Sequence, residues 1–293
     1  MAAGPGAIRR GRHGTGGGVL ERTLAILELL AANAHGLPLS TVADRLGIPR
    51  SAAHRLLTSL VAARYVTQSE AQADYRLTPK IASLALTFLS DIGVTDLAQP
   101  VLDRLARETG ELVRLALVEG ETLTFVAKAQ GSAFGLRYDP DMGREPRLSC
   151  TSNGQLLLAQ FSDEKAAALA TRQGFGHDGE IGPRAPRTPE ELLKHLRLVR
   201  KRGYALTLQT FAPGMHSIAW PIRRPGSGEM LGIVSIAGPA VRLPEVRLIA
   251  FLPLLRAAAE ELSLVDVAAG RAGDTAPAAP ERAPSPSQRK ARS

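Results

Sequence analysis

With 293 residues the chain can hold two ordinary domains, each with its own core. Its single cysteine, Cys150, excludes an intramolecular disulfide and a multi-cysteine zinc site, and no apolar run reaches bilayer-spanning length, so a cytoplasmic protein without a membrane partner is expected. The net charge of +8 sits mainly in the ends, with Arg9, Arg10 and Arg12 in the first segment and five basic against two acidic groups in 271–293, which favours nucleic-acid contact by basic arms or, for the C-terminal tail, simple solvation.

Residues 1–18, rich in Gly and Arg, read as a flexible arm. From Val19 the period is helical, with Leu20, Thr23, Leu24, Leu27 and Leu30 on an apolar side and Arg22 off it. Residues 39–60, LSTVADRLGIPRSAAHRLLTSL, read as two helices joined at Gly47-Ile48-Pro49. Leu39, Val42, Ala43 and Leu46 share one face of the first; Ala53, Leu56, Leu57 and Leu60 form the stripe of the second. Ser51, His54, Arg55 and Thr58 project from its opposite side. This is a helix-turn-helix layout, whose second helix enters the major groove; a helical hairpin with a solvated face is the plainer alternative. Arg50 and Ser51 would meet backbone or base edges and His54 and Arg55 bases, unless Arg55 pairs internally with Asp44 or Glu28.

Short strands at Tyr65–Gln68 and Tyr75–Thr78 make a wing, where Arg76 and Gln68 either touch DNA or are merely solvated. With Arg22, these residues complete the candidate DNA contacts. Residues 80–95 form a linker whose helix repeats apolar positions at Ile81, Leu84, Ala85, Phe88 and Ile92. Such a stripe either joins the winged core or pairs with its twin in a dimer, and pairing places two recognition helices one DNA turn apart. A boundary is expected near 93–96, after which a helix to Glu108 leads to strands Leu112–Val118 and Leu123–Ala129. A loop, RYDPDMGREPR, precedes Leu148; Ser149–Gln155 opens a helix, and helices follow at Asp163–Thr171 and Pro189–Arg202. Strands at Tyr204–Leu208, Ser217–Arg223 and Met230–Ala237 come next, then one closing helix, Pro244–Leu264, and a tail disordered by composition over 267–293. The fold class expected is α+β: a winged helix-turn-helix at 19–79, the linker, and an α/β, GAF-like sensor domain at 96–266 with a largely antiparallel sheet.

The chain resembles the IclR family of bacterial transcriptional regulators over about residues 19–264. The resemblance is carried by RTLAILELL at 22–30, the stretch at 39–60, YRLTPKIASLA at 75–85, LARETGELVRLALV at 105–118, GREPRLSCTSNGQLLLA at 143–159, RKRGYAL at 200–206, and SIAWPI followed by GEMLGIVSIAGPAVRL. It implies a regulator of operator DNA that works as a homodimer or dimer of dimers and answers to a small organic or aromatic acid. It maps effector contacts to Leu136, Leu148, Ser152, Asn153, Gly154, Met215, Ser217 and Ser235, with Thr207 and Gln209 as weaker additions. One departure is visible: the family has a small residue, Gly and Lys where Asn153, Gly154 and Gln155 stand, which removes a cation.

On physical grounds a helix start at Ser152–Gly154 suits an anion, although Ser152 could equally be only an N-cap, and core packing is the plainer role of each leucine and of Met215. Cys150 with His216 could form a nucleophile and base, but a cysteine among apolar residues is more often inert, and no catalytic residue, cofactor or metal site is expected among the six histidines. The competing function is a ligand-binding sensor that acts through protein contacts.

Overall fold

The computed structural model describes residues 18–69, 73–132, 146–177 and 179–264. The chain forms two compact units that divide between Phe88 and Leu89.

In the first unit, α1 (Val19–Ala31) starts at Gly18, whose N–H donates to the Glu21 carboxylate at 3.1 Å. α2 (Leu39–Leu46) ends on Gly47, which takes the left-handed conformation (φ 64°) that other residues resist, and α3 (Arg50–Ala62) follows Pro49. Ile26, Leu30, Val42, Leu57, Leu60, Val66 and Tyr75 make the core. Emptying a site such as Leu57 by truncation to Ala costs about 2–5 kcal/mol. α1 buries Ala25, Ile26 and Leu30, while Leu20 and Leu24 stay exposed. The apolar face is therefore rotated from the expected one, because Ile26, outside the expected stripe, is fully buried in the same core as Leu57 and Leu60. β1 (Val66–Gln68) and β2 (Tyr75–Leu77) pair antiparallel, and Leu37 bridges to Tyr75. α4 (Lys80–Asp91) buries no residue; Leu84, Leu86 and Phe88 are exposed, so this stripe is not part of the winged core.

The second unit takes in the end of α4, where Leu89 packs against its core, then Ile92, buried in that core, and a π-type turn over Val94–Ala98 entered from Gly93. That turn runs into α5 (Gln99–Thr109), with Pro100 in its first turn, where the missing N–H costs nothing. β3 (Leu112–Glu119) and β4 (Thr122–Gln130) are followed by α6 (Ser152–Leu158), α7 (Asp163–Gln173) and α8 (Pro189–Arg202). β5 (Ala205–Leu208), β6 (Met215–Arg223) and β7 (Met230–Pro239) complete an antiparallel sheet of order β4-β3-β7-β6-β5. Alternation along each strand sends Val113, Leu115, Ile218, Val234 and Ile236 into a core with α5 and the closing helices. Ala116, Ala205, Ala219 and Ile233 face α6, α7 and α8. Helices thus cover both faces. The expected single closing helix is two, α9 (Glu245–Ala250) and α10 (Leu252–Leu264), broken at Phe251. Pro253 has no N–H to give the Ile249 carbonyl, which ends the first segment.

Candidate functional site

On α3 the helical period separates two faces. Ala53, Leu57 and Leu60 are buried, and Arg50, Ser51, His54, Arg55 and Thr58 are all exposed. Among the described residues Arg55 makes no ion pair, so neither Asp44 nor Glu28 holds it. Its guanidinium stays available to a base or phosphate. Arg22 is half-buried on α1, and Arg76 is exposed on the wing. The Gln68 amide donates to the Ala73 carbonyl at 3.1 Å and so holds the wing's turn.

One residue here is not evident from sequence. Lys80 Nζ donates to the Ala63 carbonyl at 2.9 Å and lies 4.3 Å above the Tyr65 ring. Arg64 takes a left-handed φ of 62° at the end of α3, and the Tyr65 N–H closes back on the Leu60 carbonyl. A cation on the last carbonyls of a helix opposes its negative end. Lys80 therefore ties the first turn of α4 to the last turn of α3.

In the second unit a cleft lies between the sheet and the start of α6, lined by Arg114, Thr151, Ser152, Thr207, Phe211, Met215 and Ser217 among others. Strand register explains the convergence. Arg114 pairs with Ser235, Ser217 with Ala237 and Thr207 with Ser217, so their side chains share the face toward α6. Ser152 and Ser217 hydroxyls meet at 2.6 Å, and the Thr207 hydroxyl donates to the Ser217 carbonyl at 3.4 Å. Asn153 and Gly154 lie behind this lining: Asn153 Nδ2 donates to Ser235 Oγ at 3.1 Å, and a Cβ on Gly154 would sit 2.4 Å from the Leu148 backbone. Leu148 is buried as that packing surface, and Leu136 lies outside the described residues. The N-cap is Thr151, which accepts from the Gly154 N–H at 3.1 Å; Ser152 is left to the cleft.

Arg114 was not singled out by the sequence. It is 7% exposed, it lines the cleft, and its guanidinium lies 4.0 Å from the centre of the Phe125 ring. The cleft has room of only about 20 Å3, that of one water, so a larger ligand must widen it. Gln155 is buried, and its amide donates to the Ser149 carbonyl at 2.9 Å and lies 3.3 Å from His195 Nδ1, off the cleft.

Cys150 and His216 do not form a reactive pair. Burial pushes the thiol up to about 11, partly opposed by Arg147, and its neighbours are Ile181 and Ala185. His216, one residue from Ser217, points to the other sheet face, where Nδ1 meets the Leu243 carbonyl at 2.7 Å. No imidazole is there to make the thiolate.

Comparison with known proteins places both units. A model of the IclR helix-turn-helix domain matches residues 19–70, and one of the bacterial transcriptional regulator IclR C-terminal domain matches 86–264. The chain is 33% identical to the HTH-type transcriptional regulator BhcR of Paracoccus denitrificans, over 87% of this chain and 91% of that protein. It is 30% identical to the Pca regulon regulatory protein of Pseudomonas putida, over 83% and 82%. In fold it is similar to an IclR homolog from Microbacterium hydrocarbonoxydans crystallised with 4-hydroxybenzoate (TM-score 0.68, 21% identity, 86% of this chain and 100% of that one).

Proposed function

The chain belongs to the IclR family of bacterial transcriptional regulators and is a DNA-binding regulator, not an enzyme; from that premise we propose that a small carboxylic acid, held by Arg114, sets its affinity for operator DNA. The carrying observation is a buried guanidinium on the lining of a cleft that also offers the hydroxyls of Ser152, Ser217 and Thr207 and the apolar side chains of Met215 and Phe211. An arginine can donate two parallel hydrogen bonds to a carboxylate, and the apolar walls receive the rest of the acid. The 4-hydroxybenzoate bound to the structural neighbour supports this class of ligand.

α3 reads bases through His54 and Arg55, with Arg50, Ser51 and Thr58 on its flanks and Arg22, Gln68 and Arg76 at the backbone. Two copies pair through the exposed Leu84, Leu86 and Phe88 of α4, as a dimer or dimer of dimers, and read a near-palindromic operator in the cytoplasm. The domains of this reading are the winged unit to residue 79, the α4 linker to 95 and the effector unit to 266. The acid acts only through unequal affinity for two conformations of that dimer.

The test is binding to DNA upstream of the chain's own and neighbouring genes, with a panel of carboxylic acids. Arg114→Gln is expected to leave operator affinity without acid unchanged and to weaken the acid's effect at least tenfold. An unchanged acid response in Arg114→Gln, with the variant folded, removes Arg114 from the site.

A further inference from the structure

A second, roomier cavity lies apart from the cleft, along the free edge of β5. It offers about 230 Å3, against about 20 Å3 in the cleft, and a cavity of about 150 Å3 suffices for benzene. Arg184 and Arg202 line it, and among the described residues neither guanidinium makes an ion pair or hydrogen bond. Buried Gln155 faces the same space; its Nε2 is engaged by Ser149, while its Oε1 takes no donor among the described residues. None of the lining residues is acidic. The nearest carboxylate in the helix, Glu191, lies one turn before His195 on α8 and accepts from the Arg187 N–H at 2.7 Å. Burial lowers the His195 pKa, partly opposed by Glu191, and so favours the uncharged imidazole. Leu198, Leu206 and Leu208 supply the apolar part of the wall.

We propose that this cavity is a second ligand site for an organic carboxylate with an aromatic or branched body, its anion held between Arg184 and Arg202 and its body against the β5 leucines. Two arginines that make no ion pair among the described residues, beside an apolar wall, suit an anion with an apolar body. Inorganic phosphate matches the charge but leaves the leucines uncovered. The site lies outside the Arg114 cleft, and its existence does not depend on the role given to that cleft.

The chain carries its own reporter. Tyr204 lines the cavity, and its ring stacks on Trp220, the sole tryptophan, at 6.3 Å between centres and 14° between planes. Trp220 points to the sheet face opposite Ser217 and Arg114. Titration of the full chain with benzoate is expected to change Trp220 emission saturably. Arg184→Gln/Arg202→Gln should weaken the apparent affinity at least tenfold, and Arg114→Gln should leave it unchanged. Thermal unfolding verifies that the double variant is folded, and its exposed positions make this the expected result. Four results overturn the proposal: no saturable change with benzoate, saturation that survives in the folded double variant, loss of saturation in Arg114→Gln instead, or an equal response to inorganic phosphate. Emission that follows protein concentration and ignores benzoate puts a second copy there and overturns it too.

Discussion

His216 and Ser217 are adjacent in sequence and face opposite sides of the sheet, and this alternation decides the chemistry of the second unit. Ser217 joins Arg114 and Thr207 at the cleft, while the Nδ1 of His216 meets the Leu243 carbonyl and its buried Nε2 has no hydrogen-bond partner among the described residues. Cys150 is left with a thiol that burial holds at about 11, so at pH 8 about one part in a thousand is thiolate. Alkylation by iodoacetamide is expected to be roughly a hundredfold slower in the native chain than in the unfolded one, where an ordinary thiol titrates near 8.5. Equal rates would show the thiol to be activated. Since the folded pKa is the higher, the stability it contributes is present below about pH 8.5 and is lost as pH rises toward 11. On α3, Arg55 stands exposed without an ion pair. Arg55→Ala is expected to lose about 1–3 kcal/mol of operator discrimination at one base pair, read by footprinting; unaltered affinity and specificity would remove Arg55 from the interface. The α3 face could be read from period alone, because a helix separates its sides every 3.6 residues. Arg114 could not: alternation tells which side of the strand it takes, but not that this side opens to a cleft.

At the scale of elements, the start of α6 shows a contest between propensity and space. Alanine in place of glycine favours a helix by about 0.5–1 kcal/mol. At Gly154, however, the new Cβ meets backbone atoms of Leu148 at 2.4 Å, and backbone cannot yield as a side-chain end can. Space wins. Gly154→Ala is expected to destabilise the second unit by about 1–3 kcal/mol, a lowered urea midpoint being the measure. An unchanged or higher midpoint contradicts this packing. The α4 start carries a different device, since Lys80 ties it to the end of α3 through the Ala63 carbonyl. Elements with a strong period, such as α3 and α8, were legible. The rotated burial of α1 was not, since Leu20, Leu24, Ile26 and Leu30 offer more than one apolar stripe, and only the neighbouring helices choose. The break at Phe251 was signalled by Pro253, whose missing N–H outweighs the unbroken apolar pattern around it.

At the scale of the whole molecule, a DNA reader and a ligand-binding unit lie on one chain, and no single helix among the described residues is long and apolar enough to cross a membrane. The basic excess lies in the ends and the first unit, where phosphates would be met. Binding through several phosphates falls steeply with salt, whereas a sensor working through protein contacts has no such slope. The order of elements was legible because each unit keeps its own periodicities; the ligand was not, because the side chains that would hold it converge from β3, β5, β6 and α6, far apart in sequence. The most direct measurement is the affinity of the full chain for DNA upstream of its own gene, against a scrambled duplex, across a salt series with and without benzoate or a related acid. Specific binding is expected that weakens steeply with salt and shifts with the acid in the parent chain but not in Arg114→Gln. Equal affinity for both duplexes, or specific binding that no carboxylic acid shifts, contradicts it.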